Sequence, residues 1–296
     1  MQKLILSKYL DFNKVFNKKI IRNFFVYNLL NLDSIEDNSS IISTVSVTNG
    51  TAKTTYSKRF DDLNEMLLKF IDKNSEVLIH DVAVSNGITS LELFEFLSMK
   101  GYKINLHFSD KFTKIFFHKE HNETFFYDVD GNYIFGYIRK ILASKYVSNF
   151  FFGTKFLYSL SEKKAKEMFN YQLPTILLLH SKVIKASENN NLFQFIDHDL
   201  FNDASPLKYD IIRAVNILNP IYFTENQINK ALRLTHSSLQ EDGIFLVGRT
   251  HIEDGKNHAS FYRKSNAGFV LIEHHNAGSE IGKLIENVNI LDGSIL

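Results

Sequence analysis

The chain has 296 residues, 34 basic and 33 acidic, with 44% hydrophobic and 14% aromatic content, no Cys, no Trp and 3 Pro. That length can bury the core of one large domain, or of one domain with an appendage, and the composition excludes disorder, collagen-like repeats and coiled coil. Without Cys there is no disulfide framework, thiol nucleophile or zinc ribbon, and a formal charge of +1 argues against a duplex nucleic-acid binder.

Apolar runs such as Ile176 to Leu179 fall far short of the roughly 20 residues needed to span a bilayer. The first residues, MQKLILSKYLDFNKVF, lack an apolar stretch followed by a small-residue cleavage site. A cytoplasmic protein without a transmembrane segment is expected.

Ile5, Tyr9, Phe12, Phe16, Ile20 and Phe24 recur every three to four residues, which predicts an amphipathic helix over 1–32. Its Lys14, Lys18, Lys19 and Arg22 suit a solvated face better than a membrane surface. A Ser-, Thr- and Asn-rich stretch follows, with Asn49-Gly50 as a turn signal, and then Phe60, Leu63, Met66, Leu67 and Phe70 mark a short helix. Residues 1–72 are expected to form a helical cap with a loop.

From Val77 strands and helices alternate. Strands are expected at Val77–Val82, Lys103–Phe108, Leu192–Ile196, Tyr209–Ala214, Ile244–Val247, Ser260–Arg263 and Phe269–His274, and helices at Ile88–Met99 and Gln227–Leu239. Alternation of this kind implies parallel βαβ units and an α/β sheet covered on both faces, here ending in an antiparallel hairpin around Ser265 to Gly268. Residues 111–190 exceed what one crossover needs and are expected to form an insertion. It would hold β-ribbon pieces at Ile115–Phe117, Thr124–Tyr127 and Tyr133–Tyr137, then helices near Ser161–Phe169 and Thr175–Ala186. The run Asn149 to Phe152 suits core packing or an apolar substrate pocket.

The segment VLIHDVAVSNGITSLELFEFL, Val77 to Leu97, is a strand, a tight turn and a helix. Small residues at Ala83, Ser85 and Gly87 let backbone N–H groups approach a ligand where the helix begins, and Thr89 or Ser90 could cap that helix. A single Gly is not the dinucleotide fingerprint, and no Gly-Lys-Ser/Thr closes the turn as in a P-loop, so the turn suits a ligand without phosphates. Asp110 ends the next strand, where a carboxylate can accept hydrogen bonds from both ribose hydroxyls.

The series HDVAVSNGITSLEL, LHFSD, FQFIDHDLF and YDIIRAVNILNPIYF resembles the ordered motifs of class I S-adenosylmethionine-dependent methyltransferases. The resemblance implies a seven-stranded, mostly parallel Rossmann-like sheet with a C-terminal antiparallel hairpin over 73–296, and S-adenosylmethionine as cofactor. It places Asp81, Ala83, Ser85 and Gly87 around the methionine part, Asp110 at the ribose, Asp199 and Leu200 at the adenine, and Asn216 where cofactor faces substrate. Residues 209–251 are also similar to the C-terminal half of the chemotaxis-receptor glutamate methyltransferases, although Val215 stands where those have Arg and Asn219-Pro220 is inserted. Thr54 to Leu63 is similar to their Thr-x-Phe-Phe-Arg loop, and Arg59 would pair with the cofactor carboxylate.

GRTHIEDGKNHASFYR, Gly248 to Arg263, follows the fifth strand of that series, near the carboxyl ends where open α/β sheets bind ligands. Arg249, His251, Asn257 and His258 are therefore candidates to orient substrate, with His251 as a general base and Tyr222 lining the site. The remaining histidines show no HExxH-like spacing, so no metal is expected. The departures from the receptor-methylating pattern favour a small-molecule or biosynthetic-intermediate acceptor over a protein carboxylate. Two rival classes are a cofactor-binding scaffold without turnover and a nicotinamide oxidoreductase.

Overall fold

The computed structural model describes residues 42, 55–138, 141–144, 152–205, 207–288 and 290. The expected helix over 1–32, the turn at Asn49-Gly50 and residues 149–151 of the aromatic run lie outside them. The chain divides into two compact units, one built on 112–182 and the other on 56–111 with 183–290.

The second unit holds the seven-stranded sheet. It begins with α1 (Asp61–Leu67), which tightens into a 3-10 turn at Leu68–Phe70, and continues with β1 (Glu76–Val82), α2 (Ile88–Met99) and β2 (Lys103–Ser109). The apolar β-branched and aromatic content of β1 and β2 suits strands covered on both faces. After the inserted unit come β8 (Phe193–Phe195), β9 (Tyr209–Val215), α5 (Glu225–Ser238), β10 (Leu239–Thr250), β11 (Asn257–Ser265), β12 (Gly268–His275) and α6 (Gly282–Asn287). A capping box starts α5: the Thr224 hydroxyl accepts from the Gln227 N–H while the Gln227 side chain accepts from the Thr224 N–H.

The order across the sheet is β8-β2-β1-β9-β10-β11-β12. The first five strands are parallel, and the last two antiparallel pairings make a C-terminal meander. Strand order reverses between β1 and β9, so their carboxyl ends open a crevice at a topological switch point. One side of the sheet packs Val82, Ile212, Phe245 and Val247 against Ile228 and Leu232 of α5, and Ile285 of α6 joins the same cluster.

The other unit is an antiparallel sheet ordered β6-β5-β4-β3-β7, formed by β3 (Lys114–Glu120), β4 (Glu123–Tyr127), β5 (Tyr133–Ile138), β6 (Ile141–Ser144) and β7 (Thr175–Leu177). α3 (Phe152–Met168) packs on it, with the Tyr127 hydroxyl donating to the Ala165 carbonyl and Tyr133 bonded to Ser161. Here the expectation of a helix over Thr175–Ala186 is corrected. Thr175–Leu177 pairs with β3, and only Ser181–Asn189 is helical, as α4. Pro174 keeps the residue before it out of the helical region, and a short apolar run takes whichever partner tertiary structure offers, here the edge of β3. Among the described residues no helix is long and apolar enough to cross a membrane.

Candidate functional site

At the switch point β1 and β9 lie side by side with Asp81 in register with Arg213. The Arg213 guanidinium forks onto the Asp81 carboxylate, Nε to Oδ1 at 2.8 Å and Nη2 to Oδ2 at 2.5 Å, and the Ser90 hydroxyl adds a bond to Oδ2 at 2.6 Å. Arg213 also donates to Asn64 Oδ1 on α1 and to the Thr89 carbonyl on α2, so strand, helix and helix are tied through one side chain that is 1% exposed. Both Asp81 oxygens are engaged within the protein. An arginine inside the apolar strand YDIIRAV was the available sequence signal, because a buried guanidinium needs a carboxylate partner.

The turn from β1 to α2 places Ala83, Ser85 and Gly87 at φ 59°, 63° and 79°. This alternation turns the chain sharply, and Gly87 is required twice over: its φ is left-handed, and a Cβ there would sit 2.9 Å from Val183 Cγ1. Four N–H groups of the turn and the helix start are bonded within the protein. Val84 N–H bonds the Ser109 carbonyl, Ser85 N–H bonds Asp110 Oδ2 at 2.7 Å, Gly87 N–H bonds the Val84 carbonyl, and Ile88 N–H bonds Asn86 Oδ1. Through Val84 and Ser85 the turn is held against the end of β2. The expected cap is corrected: Gly87 is the N-cap, Ser90 serves Asp81, and Thr89 serves Arg213 through its carbonyl.

Beside β2, Asp110 holds the turn, and Lys111 reaches Asp199 Oδ2 at 3.4 Å. Asp199 organises its own loop, accepting from the Phe201 N–H and from Asn202 Nδ2, while Leu200 is buried in the core cluster with Val82 and Tyr209. The three chain segments that the resemblance assigns to methionine, ribose and adenine are thus linked in series.

At the other side of the crevice Thr250, at the end of β10, is a junction. Its hydroxyl receives Arg59 Nε at 3.0 Å and donates to Asn257 Oδ1 at 2.7 Å, and its N–H donates to Asn216 Oδ1 at 2.8 Å. Asn216 is left-handed, at φ 65°. Asn257 Nδ2 bonds the Arg59 carbonyl and Asp62 Oδ1. Arg59 lies beside the rings of Tyr56 and Phe60, and burial lowers its pKa from the ordinary arginine value. The loop carrying it is pinned by Glu92, whose two oxygens both take the Lys58 N–H at 2.9 Å; burial raises the Glu92 pKa against the bonds from Lys58 and Ser57. The structure therefore brings Arg59 and Asn216 together through Thr250, a residue the sequence reading did not select.

Beyond Thr250 the residues diverge. Arg249 pairs with Glu280 at 3.1 Å; the His251 ring lies tilted at 45° against His258 with ring centroids 4.3 Å apart; and His258 bonds Asp254 at 2.9 Å. The Asp254 pKa is lowered, first by the Lys256 N–H and then by His258. His251 Nε2 is shielded from solvent and has no hydrogen-bond partner among the described residues. Tyr222 follows the Asn219 turn and is 57% exposed. Among the described residues no three His, Asp or Glu side chains gather as a metal centre.

Parallel β8-β2-β1-β9-β10, an antiparallel end and a strand-turn-helix at the switch point decide the architecture. The sheet unit is a Rossmann-like, mostly parallel seven-stranded α/β sheet. No family model matches the chain, and no curated protein does. Solved structures similar to it include an S-adenosylmethionine-dependent methyltransferase from Clostridium acetobutylicum, at 12% identity over 78% of this chain and 80% of that one, TM-score 0.36. The N-methyltransferase NodS from Bradyrhizobium japonicum, in complex with S-adenosyl-L-homocysteine, is similar at 9% identity over 78% and 75%, TM-score 0.35. An O-methyltransferase family 2 protein from Planctomyces limnophilus, in complex with apigenin, is similar at 11% identity; this chain spans 44% of its length, TM-score 0.32.

Proposed function

We propose that the protein is an S-adenosylmethionine-dependent methyltransferase with a small-molecule acceptor. The observation that carries this reading is the linked set of polar residues at the carboxyl ends of β1, β2, β8, β9 and β10 around the switch point. The donor set suits the cofactor: an acid after β2 for ribose hydroxyls, a half-buried guanidinium for a carboxylate, and a turn with a single Gly and no Gly-Lys-Ser/Thr, which suits a ligand without phosphates. When bound, S-adenosylmethionine supplies an electrophilic methyl group.

Asp110 holds the ribose and Arg59 the carboxylate. Asp199 and Leu200 shape the adenine end, Leu200 by packing and Asp199 by fixing its loop. Asp81 acts through Arg213 and Ser90, setting the course of the Ala83 to Gly87 turn. Asn216 and Thr250 set the end of β9 against β10, beside the acceptor. Arg249, Tyr222 and His251 face the acceptor, and His251, whose Nε2 has no partner among the described residues, removes the proton when the acceptor is a hydroxyl or ammonium. Positioning of the nucleophile roughly 3 to 3.5 Å from the methyl carbon supplies much of the rate.

Thermal-shift titration tests the reading, since a ligand bound only by the native state raises apparent stability. Stabilisation by S-adenosylmethionine and S-adenosylhomocysteine, with none by NAD(H) or NADP(H), is the expected result; the reverse selects an oxidoreductase. A second reading, a cofactor-binding protein without turnover, is favoured by the saturation of Asp81 by Arg213 and Ser90. Stabilisation by the methyl donor without labelled methyl transfer to any cell extract selects it.

A further inference from the structure

His80 precedes Asp81 on β1 and faces the opposite side of the sheet. Its Nε2 lies 2.9 Å from Ser109 Oγ at the end of β2, and its Nδ1 lies 2.8 Å from Ser205 Oγ in the loop between β8 and β9. These two partners belong to the segments that carry Asp110 and Asp199. Ser109 immediately precedes Asp110 and also accepts the Val84 N–H through its carbonyl. We propose that His80 is a positioning residue: as a neutral imidazole it ties the end of β2 to the 196–205 loop and so holds Asp110 and Asp199 in their relative places for the cofactor. The inference rests on the reading of those acids as cofactor-binding.

The proton positions follow from the partners. His198 Nε2 is 3.0 Å from the Asp203 carbonyl, an oxygen that only accepts, so that nitrogen carries hydrogen. Ser205 Oγ, 3.5 Å from the same nitrogen, has no acceptor there and directs its own proton to His80 Nδ1. His80 is then the Nε2–H tautomer and donates to Ser109. The chain of bonds runs one way through an uncharged ring.

Burial and the two neighbouring histidines disfavour a second proton on that ring. From β2, His107 is its register partner and bonds the Tyr209 hydroxyl through Nδ1 at 2.9 Å. From β9, Tyr209 stacks on His80 at 4.7 Å, and from the loop His198 meets it edge-on at 5.0 Å. The acids of the loop, Asp197, Asp199 and Asp203, act on His198, and Lys111 pairs with Asp199. His80 is fully buried, and burial, followed by His198 and His107, holds its pKa well below the ordinary histidine range. A proton forced onto Nδ1 would turn it from acceptor to donor and oblige the Ser205 hydroxyl to rotate and accept, reversing the direction of the bond that meets the loop carrying Asp199.

The test combines nitrogen-15 NMR of the histidine rings with calorimetric titration of S-adenosylhomocysteine, on the full chain and on Ser205→Ala and Ser205→Thr. Ser205→Ala keeps the backbone bond from residue 205 to Ser238 Oγ, so the loop retains its other anchor. In the wild type His80 is expected as the neutral Nε2–H tautomer at neutral pH. In Ser205→Ala the ring titrates at higher pH, affinity falls about tenfold, and KM for the donor rises while kcat holds. Ser205→Thr, which keeps the hydroxyl, restores both. An Nδ1–H or charged His80 at neutral pH would overturn the proposal, as would wild-type affinity in Ser205→Ala. Failure of the wild type to bind S-adenosylhomocysteine overturns the methyltransferase reading and the positioning role with it, whereas wild-type binding with an unaltered Ser205→Ala overturns the positioning role alone.

Discussion

Adjacent residues of β1 meet burial in two different ways. Asp81 sits in an ion pair, held by the Arg213 fork and the Ser90 hydroxyl; His80, one residue earlier on the opposite face, is held without charge between two serines and among two other histidines. A buried charge must be matched by an opposite charge in good geometry, whereas a buried imidazole need only shed a proton. The first solution is costly to break by mutation. The second is sensitive to acid.

The largest effect comes from breaking the charged side. Arg213→Met leaves the Asp81 carboxylate buried without its partner and is expected to destabilise the fold by about 3 to 5 kcal/mol, read from the urea midpoint. Adding Asp81→Leu to that variant recovers much of the loss, because it is the orphaned charge, more than the missing bond, that destabilises. Ser90→Ala removes one bond to the carboxylate while leaving the fork, for about 1.5 to 3 kcal/mol.

The neutral side is sharpened by pH. Burial lowers the pKa values of His80, His107 and His198 from the ordinary 6.5. As pH falls below about 6.5, the unfolded chain takes up protons that the folded chain refuses. Stability is therefore complete above that pH and declines as pH falls toward the folded-state values, by up to about 1.4 kcal/mol per pH unit for each histidine. His80→Phe, which keeps a ring against Tyr209, is expected to make the decline between pH 6.5 and 5 shallower in denaturation curves; an unchanged slope would assign the acid sensitivity elsewhere. Tyr209→Phe removes only the bond to His107 and is the mildest change, about 0.5 to 1.5 kcal/mol by the same measurement.

The strand-turn-helix from Val77 to Leu97 was legible because every local signal agrees there: an apolar run, small residues, one Gly and a helical segment, which fold as Glu76–Val82 and Ile88–Met99. The hairpin between β11 and β12 was legible for the same reason. What could not be read is which side chains meet across the sheet. Arg213 and His80 both sit inside the motif segments, yet the partner of each lies on another strand or loop and depends on register, which a single sequence does not reveal. Thr250 went unselected because a threonine ending a strand looks ordinary until Arg59, Asn216 and Asn257 converge on it. The strand at Thr175–Leu177 was misread because three apolar or β-branched residues carry no period of their own.

The pairing of β3 with β7 bears on how the chain folds. Leu106 and Phe193 are sheet neighbours although a long stretch of sequence separates them, and closing so long a flexible loop costs conformational entropy that rises with the logarithm of its length. Between those two points Lys114 pairs with Leu177, so the segment that interrupts the sheet begins and ends on adjacent strands. Once that pair has zipped, β2 and β8 are separated by a short effective tether. An antiparallel sheet that collapses first would lower the entropic barrier to assembling the parallel one.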